Sequence, residues 1–217
     1  MAIISTGSTT NITALGINGA PNVNVQTSPN AARITQYGTD GTSGISIGKV
    51  GYTALSAAFT SPATPNDVAI LNGSAYKTIR VLRVGITTTQ SAMGKNAWYL
   101  IMRSAVNTSG GINIMTPNQS DTNDPGATAT AQYYTTSNPT PGTAVGTVWS
   151  GYLNSPIITT SGMSSAPRQR MFIIDFLDLF GQPLTLRGAA QGLAVNFNGA
   201  ALPGGLSTYV FFQWTEE

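Results

Sequence analysis

YKTIRVLRVGITTTQ, residues 76–90, places Ile79 and Val81 on one parity with Lys77 and Arg83, and Leu82, Val84 and Ile86 on the other with Arg80. Period-two order in a run rich in β-branched residues is the pattern of a strand and not of a helix. Apolar side chains on both parities predict a strand covered on both faces over part of its length. The neighbouring segments carry the same grammar. DVAIL (67–71) ends at the Asn72-Gly73 turn signal, and NAWYLIMRSAV (96–106) sets Trp98, Leu100 and Met102 against Tyr99, Ile101 and Arg103.

Further strands are predicted in ATAQYYTT (129–136) and AVGTVWSGYL (144–153), split by the turn SNPTPG, and in QRMFIIDFLDL (169–179), which reads as a buried strand. LTLRG (184–188), LAVNF (193–197) and the alternating STYVFFQW (207–214) complete the set, with Asn198-Gly199 and Pro203-Gly204-Gly205 as turns. A polar stretch from about 107 to 127 reads as a long loop. About eight strands with no sustained 3.6-residue periodicity between them predict an all-β fold, a β-sandwich of jelly-roll type.

Residues 1–51 differ from 52–217. They hold scattered single aliphatics among Gly, Asn, Thr and Ser, with no aromatic before Tyr37. Such a segment buries too little apolar surface to offset its backbone entropy alone. It is expected to be an extended N-terminal arm that orders along a partner through Ile3, Ile4, Ile12, Leu15, Ile17, Val23 and Val25, its β-prone pieces VNVQT (23–27) and ISIG (45–48) adding to exposed sheet edges. Residues 52–217 are expected to form the sandwich domain.

Composition narrows the chemistry. The 217 residues include no histidine and no cysteine, which removes Ser-His-Asp and Cys-His catalysis, thiolate zinc sites, disulfides and histidine pH switching. Charged residues are 8% of the chain and the net charge is +2, so bulk electrostatics argue against a nucleic-acid partner. No apolar run approaches the roughly 18 residues that span a bilayer, and MAIISTGSTT lacks the features of an export signal. No membrane partner and no cofactor are expected. Asp175 and Asp178 are the neighbouring carboxylates that a glycoside hydrolase would need, but a spacing of three sets them on opposite faces of a strand. Asp175 is expected instead to pair with Arg168, Arg170 or Arg187, and Asp178 to cap a turn. Asp121 and Asp124, with Asn118 and Asn123, could offer oxygens to calcium, although Asx-rich loops form turns for their own reasons. No enzyme is predicted.

Arg80, Arg83, Arg103, Arg168, Arg170 and Arg187 fall in or beside predicted strands. Too few acids are placed to pair with all of them, so Arg33, Arg80, Arg83, Arg168 and Arg170 join the arm's aliphatics as expected contacts with a partner or a second copy.

The succession AYKTIRVLRVGITTTQ, SNPTPGTAVGTVWSG, PLTLRGAAQGLAVNFNG and VFFQWTEE resembles jelly-roll virion structural proteins of tailed bacteriophages, of the capsid cement or decoration type. The resemblance spans residues 52–217 and rests on strand order and on phrases such as TIRVLRVGI, LRGAAQGLAVN and WTE. It implies a homo-oligomer, expected to be a trimer, made in the bacterial host cytoplasm. It would bind the major capsid protein on the outer face of an icosahedral head and hold neighbouring capsomers together. The alternative expectation is a receptor- or glycan-binding module of a tail fibre or baseplate, with Trp98, Trp149, Trp214 or Tyr133-Tyr134 stacking on sugars.

Overall fold

The computed structural model describes residues 23–28, 31–36, 50–89, 94–155, 171–202 and 206–217. They belong to two compact units, Met1–Lys49 and Val50–Glu217. In the first, β1 (Val23–Ser28) and β2 (Ala31–Gln36) form an antiparallel hairpin with Val23 opposite Gln36 and Ser28 opposite Ala31. VNVQT thus pairs with the strand that follows it. Val25 lies opposite Ile34, and Arg33 opposite Gln26. Ile3, Ile4, Ile12, Leu15, Ile17 and ISIG lie outside the described residues.

The second unit is all-β, two antiparallel sheets forming a β-sandwich. One sheet has the order β10-β6-β13-β4-β9-β7: Ala144–Ser155, Gly94–Arg103, Gly192–Asn196, Asp67–Asn72, Thr130–Tyr134 and Ile112–Met115. The other has the order β11-β5-β14-β3-β8: Phe172–Asp175, Thr78–Thr89, Ser207–Glu216, Val50–Leu55 and Pro117–Gln119. β12 (Leu184–Arg187) also pairs with β5, along the edge that β11 uses. A single helix among the described residues, α1 (Phe176–Phe180), separates β11 from β12. No described helix is long and apolar enough to cross a membrane.

The core between the sheets holds Trp98, Trp214, Tyr52, Phe176, Phe197 and Phe212, all fully buried. Tyr52 stacks on Trp214 at 5.7 Å, and its hydroxyl donates to the Pro125 carbonyl at 2.7 Å. β14 is its simplest statement: Thr208, Val210, Phe212, Trp214 and Glu216 are buried, and the residues between them are not.

Four expectations are corrected. The first concerns β5, which does not owe its two apolar parities to cover on both faces. Gln213 pairs with Arg83 and Trp214 with Val81, so Leu82 is an extra residue in β5, a β-bulge. A bulge flips the inward parity, from Ile79 and Val81 before it to Val84 and Ile86 after it, all four fully buried. Outside this switch, Phe211 lies over Gly85 so closely that a Cβ there would overlap its ring. The second concerns 169–179, which is not one buried strand. Phe172–Asp175 is a strand, but Asp175 turns the chain outward: its Oδ1 accepts from Leu177 N at 3.0 Å and Asp178 N at 3.2 Å, capping α1. Gly181, at φ 69°, closes the helix, and the chain rejoins β5 as β12. The third concerns 107–127, which is not one loop, since β7 and β8 lie within it. The last concerns number: the described residues of the sandwich form twelve strand segments instead of about eight, because edge strands such as β8 are too short to show a period.

Candidate contact surface

β11 and the excursion that follows it carry a run of exposed apolar side chains. Met171, Phe172, Ile173, Leu177, Leu179 and Phe180 are each between 38% and 53% exposed. The excursion follows from local sequence. Asp175 satisfies two amide donors at the helix start, Gly181 takes the left-handed conformation at its end, and the intervening FLDLF is too short to bury more than Phe176. Phe176 and Phe180 stack at 5.8 Å. With Val148, Pro183 and Leu184 they line a shallow concavity of about 240 Å³. Val148 belongs to β10, the edge strand of the opposite sheet, on which Val145 and Tyr152 are exposed. Lys95 lies over the Tyr152 ring, its ammonium 3.8 Å from the centroid. Phe172 anchors the rim to the core, 5.6 Å from Trp98 and 5.1 Å from Trp149. β10 itself carries register shifts at Ala144/Gly146 and Thr147/Trp149, irregularities that discourage strand-on-strand addition at an open edge.

Among the described residues, Lys77, Arg80, Arg83 and Arg103 each pair with a carboxylate. Arg83 Nε donates to Asp175 Oδ2 at 2.6 Å, so the partner of Asp175 is Arg83 and not Arg168, Arg170 or Arg187. That bond is the first cause, with the helix-cap amides behind it, that holds the Asp175 carboxyl below the usual carboxylate range. Asp178 sits in the first turn of α1 and is not the cap. Both oxygens of Asp175 are engaged by this arrangement. Arg80 Nε donates to Glu217 Oε1 at 2.6 Å and its Nη1 to Thr185 Oγ1 at 3.3 Å, tying β5 to β12 and to the end of the chain. Arg80 and Arg83, expected at contacts between molecules, are thus engaged within the chain. Arg168 and Arg170 lie outside the described residues.

Two carboxylates escaped sequence reasoning because their partners are remote in the chain. Asp67 is completely buried. Its oxygens accept from Arg103 Nη2 at 2.6 Å and Nε at 2.9 Å, from Asn196 Nδ2 at 2.6 Å and from Asn107 Nδ2 at 2.8 Å. Arg103 also donates from Nη1 to the Gly142 carbonyl at 2.8 Å. A single acid or base inside an otherwise apolar strand was the visible signal, since such a group survives burial only when paired. Glu216 is the second. Burial pushes its pKa up, but hydrogen bonds from Ala129 N, Thr128 Oγ1, Trp214 Nε1 and Thr128 N outweigh burial and hold it below its ordinary value. Lys77 Nζ lies 3.4 Å from Glu216 Oε2.

Of the candidate calcium ligands, Asp121 closes a turn: its Oδ1 accepts from Asn123 N at 2.9 Å, and its carbonyl from Asp124 N at 3.1 Å. Among the described residues no three acidic side chains gather as a metal site. The aromatics expected to stack on sugars are packing residues: Trp98, Trp214 and Tyr134 are fully buried, Trp149 packs on Trp98 at 4.5 Å, and Tyr133 on Phe59 at 4.8 Å. No protein-family model matches the chain, and neither a curated protein nor a solved structure matches it.

Proposed function

We propose that the chain is a structural subunit of a phage virion, a cement protein that binds the outer face of the head and stabilises contacts between capsomers of the major capsid protein. In this reading the sandwich has jelly-roll connectivity and acts as a homo-oligomer, a trimer by the resemblance. The observation that carries the proposal is the apolar rim at Met171–Phe180, in a chain with only 8% charged residues. Exposed apolar patches of this kind mark contact surfaces, and interfaces between identical copies are the most apolar class. We assign the rim to self-association and leave residues 1–49 and the weakly charged remaining surface for the shell.

The magnitudes suit such a role. Covering the half of each rim side chain that meets water is worth about 1 kcal/mol, half of what full burial gives. Six side chains on each of two copies then supply about 12 kcal/mol gross, comparable with the roughly 4–15 kcal/mol that association costs. A contact so balanced becomes stable where many copies engage one ordered lattice.

The test has two arms. The double variant Leu177→Asp/Leu179→Asp should keep the thermal unfolding of the parent and shift its light-scattering mass toward the monomer. Cryo-EM of particles carrying the parent protein should show it distributed over the head surface, and heads lacking it should release DNA at lower temperature. A few copies confined to the tail would reject the proposal, as would an unchanged mass for the double variant.

A further inference from the structure

A second concavity, of about 580 Å³, opens on the outward face of the β4–β9–β7 sheet, away from the rim. Its floor follows from strand register. Asn72 pairs with Thr130 and Ile70 with Gln132, so Asn72, Thr130 and Gln132 all project to the side opposite the core residues Ala69, Leu71 and Ala131. Val106 and Asn107, just after β6, form one wall, and the turn that leaves β4 forms the other, with Tyr76 at its lip.

Tyr76 is 90% exposed. A tyrosine ring so placed contributes nothing to the core, yet its backbone is fixed. The buried Ser74 Oγ accepts from Tyr76 N at 3.1 Å and from Lys77 N at 3.2 Å. Gly73 N donates to the Gln191 carbonyl at 2.8 Å, and a Cβ at Gly73 would lie 2.5 Å from the Gly188 carbonyl oxygen, so the turn is seated tightly against the β12–β13 connection. The ring therefore stands on a rigid base.

The lining has a definite chemical character. No Lys, Arg, Asp or Glu lines it, and the carboxylates bonded to the lining, Glu216 on Thr128 and Asp67 on Asn107, are already paired with Lys77 and Arg103. It is rich in amides and hydroxyls. The Gln132 amide makes no hydrogen bond among the described residues, and Thr130 Oγ1 only accepts, from Asn72 Nδ2 at a long 3.4 Å. The buried Asn72 Oδ1 has no partner among the described residues. Apolar surface from Val106 and Ile112, each nearly half exposed, completes the site.

The geometry points to this cleft as a binding site for a neutral carbohydrate. An uncharged pyranose has the matching duality: a face of C–H groups that packs on an aromatic ring, and an equator of hydroxyls that bond amides and threonine hydroxyls. Tyr76 offers the ring, and Gln132 and Thr130 offer the polar equator. This site is independent of the apolar rim and of the shell-binding role. A subunit on a virion surface would use it to hold the particle to a sugar-coated surface.

Saturation-transfer NMR and calorimetry on the full chain test it. The panel is maltohexaose, cellohexaose, mannohexaose and chitohexaose, with sialylated and sulfated oligosaccharides and a proline-rich peptide as other arms. At least one neutral hexaose should bind, with saturation transfer to its ring C–H protons. Tyr76→Ala should weaken that binding about tenfold, the upper range of an aromatic contact, and Gln132→Ala should weaken it severalfold, both with unchanged melting temperatures. Absence of binding by every neutral hexaose would overturn the proposal. So would binding of the charged sugars or the peptide alone, or neutral-sugar binding that neither variant alters.

Discussion

Asp67 is fully buried, and four hydrogen bonds, two of them from Arg103, converge on its carboxylate. Breaking a buried ion pair from one side strands the other partner, which costs more than the pair ever contributed. Asp67→Ala leaves Arg103 buried and unpaired, and we expect a loss of about 3–5 kcal/mol in urea denaturation, with an unchanged m-value. Glu216 makes a different prediction. Its folded pKa lies below the unfolded value, so its contribution is present above the unfolded pKa and is lost as pH falls through the folded one. Stability of the parent should therefore decline below about pH 4.3, the ordinary glutamate value. Glu216→Gln should cost about 1.5–3 kcal/mol at pH 7, the worth of hydrogen bonds to a charge, and should show a shallower acid decline than the parent. Denaturation midpoints from pH 7 to 3 for both proteins check this.

At the scale of elements, the excursion at α1 is held by one side chain acting twice, since Asp175 caps the helix and clamps Arg83. Asp175→Ala should unfasten α1, seen as faster amide exchange at Leu177 and Asp178, at a cost of about 1 kcal/mol, the usual worth of a helix cap. Asp175→Asn, which keeps the cap and drops the charge, should keep the slow exchange. The strands were legible in the sequence wherever a period could express itself. Ser207–Glu216 alternates over ten residues, and its burial follows that alternation without a break. The bulge at Leu82 was not legible, because an inserted residue changes the parity of a pattern without changing its composition. α1 was not legible either, since five residues make less than two helical turns. Both the rim and the cleft were hidden for a related reason. Which face of an apolar segment stays wet depends on where the chain bends, and Tyr76 differs from a core tyrosine only in following the turn at Ser74.

For the whole molecule, the division at Lys49/Val50 separates two units of unequal kind. The second contains a continuous core of two sheets, so residues 50–217 expressed alone should unfold in one cooperative transition, with the parent's midpoint by circular dichroism. If residues 1–49 provide the hold on the shell, that shortened protein should keep its oligomeric mass and lose binding to particles. Loss of the cooperative transition would show instead that the core depends on the first unit.

β14 follows the other described strands of the sandwich yet lies between β5 and β3 in the middle of its sheet. While the polypeptide is still leaving the ribosome, β5 and β3 have no common neighbour, and Tyr52 has no Trp214 to stack on. Closure of the sandwich is thereby deferred until translation has passed residue 214. A nascent chain interrupted short of that point lacks not an appendage but the keystone of its sheet, and quality-control proteases would meet it as an unfolded substrate.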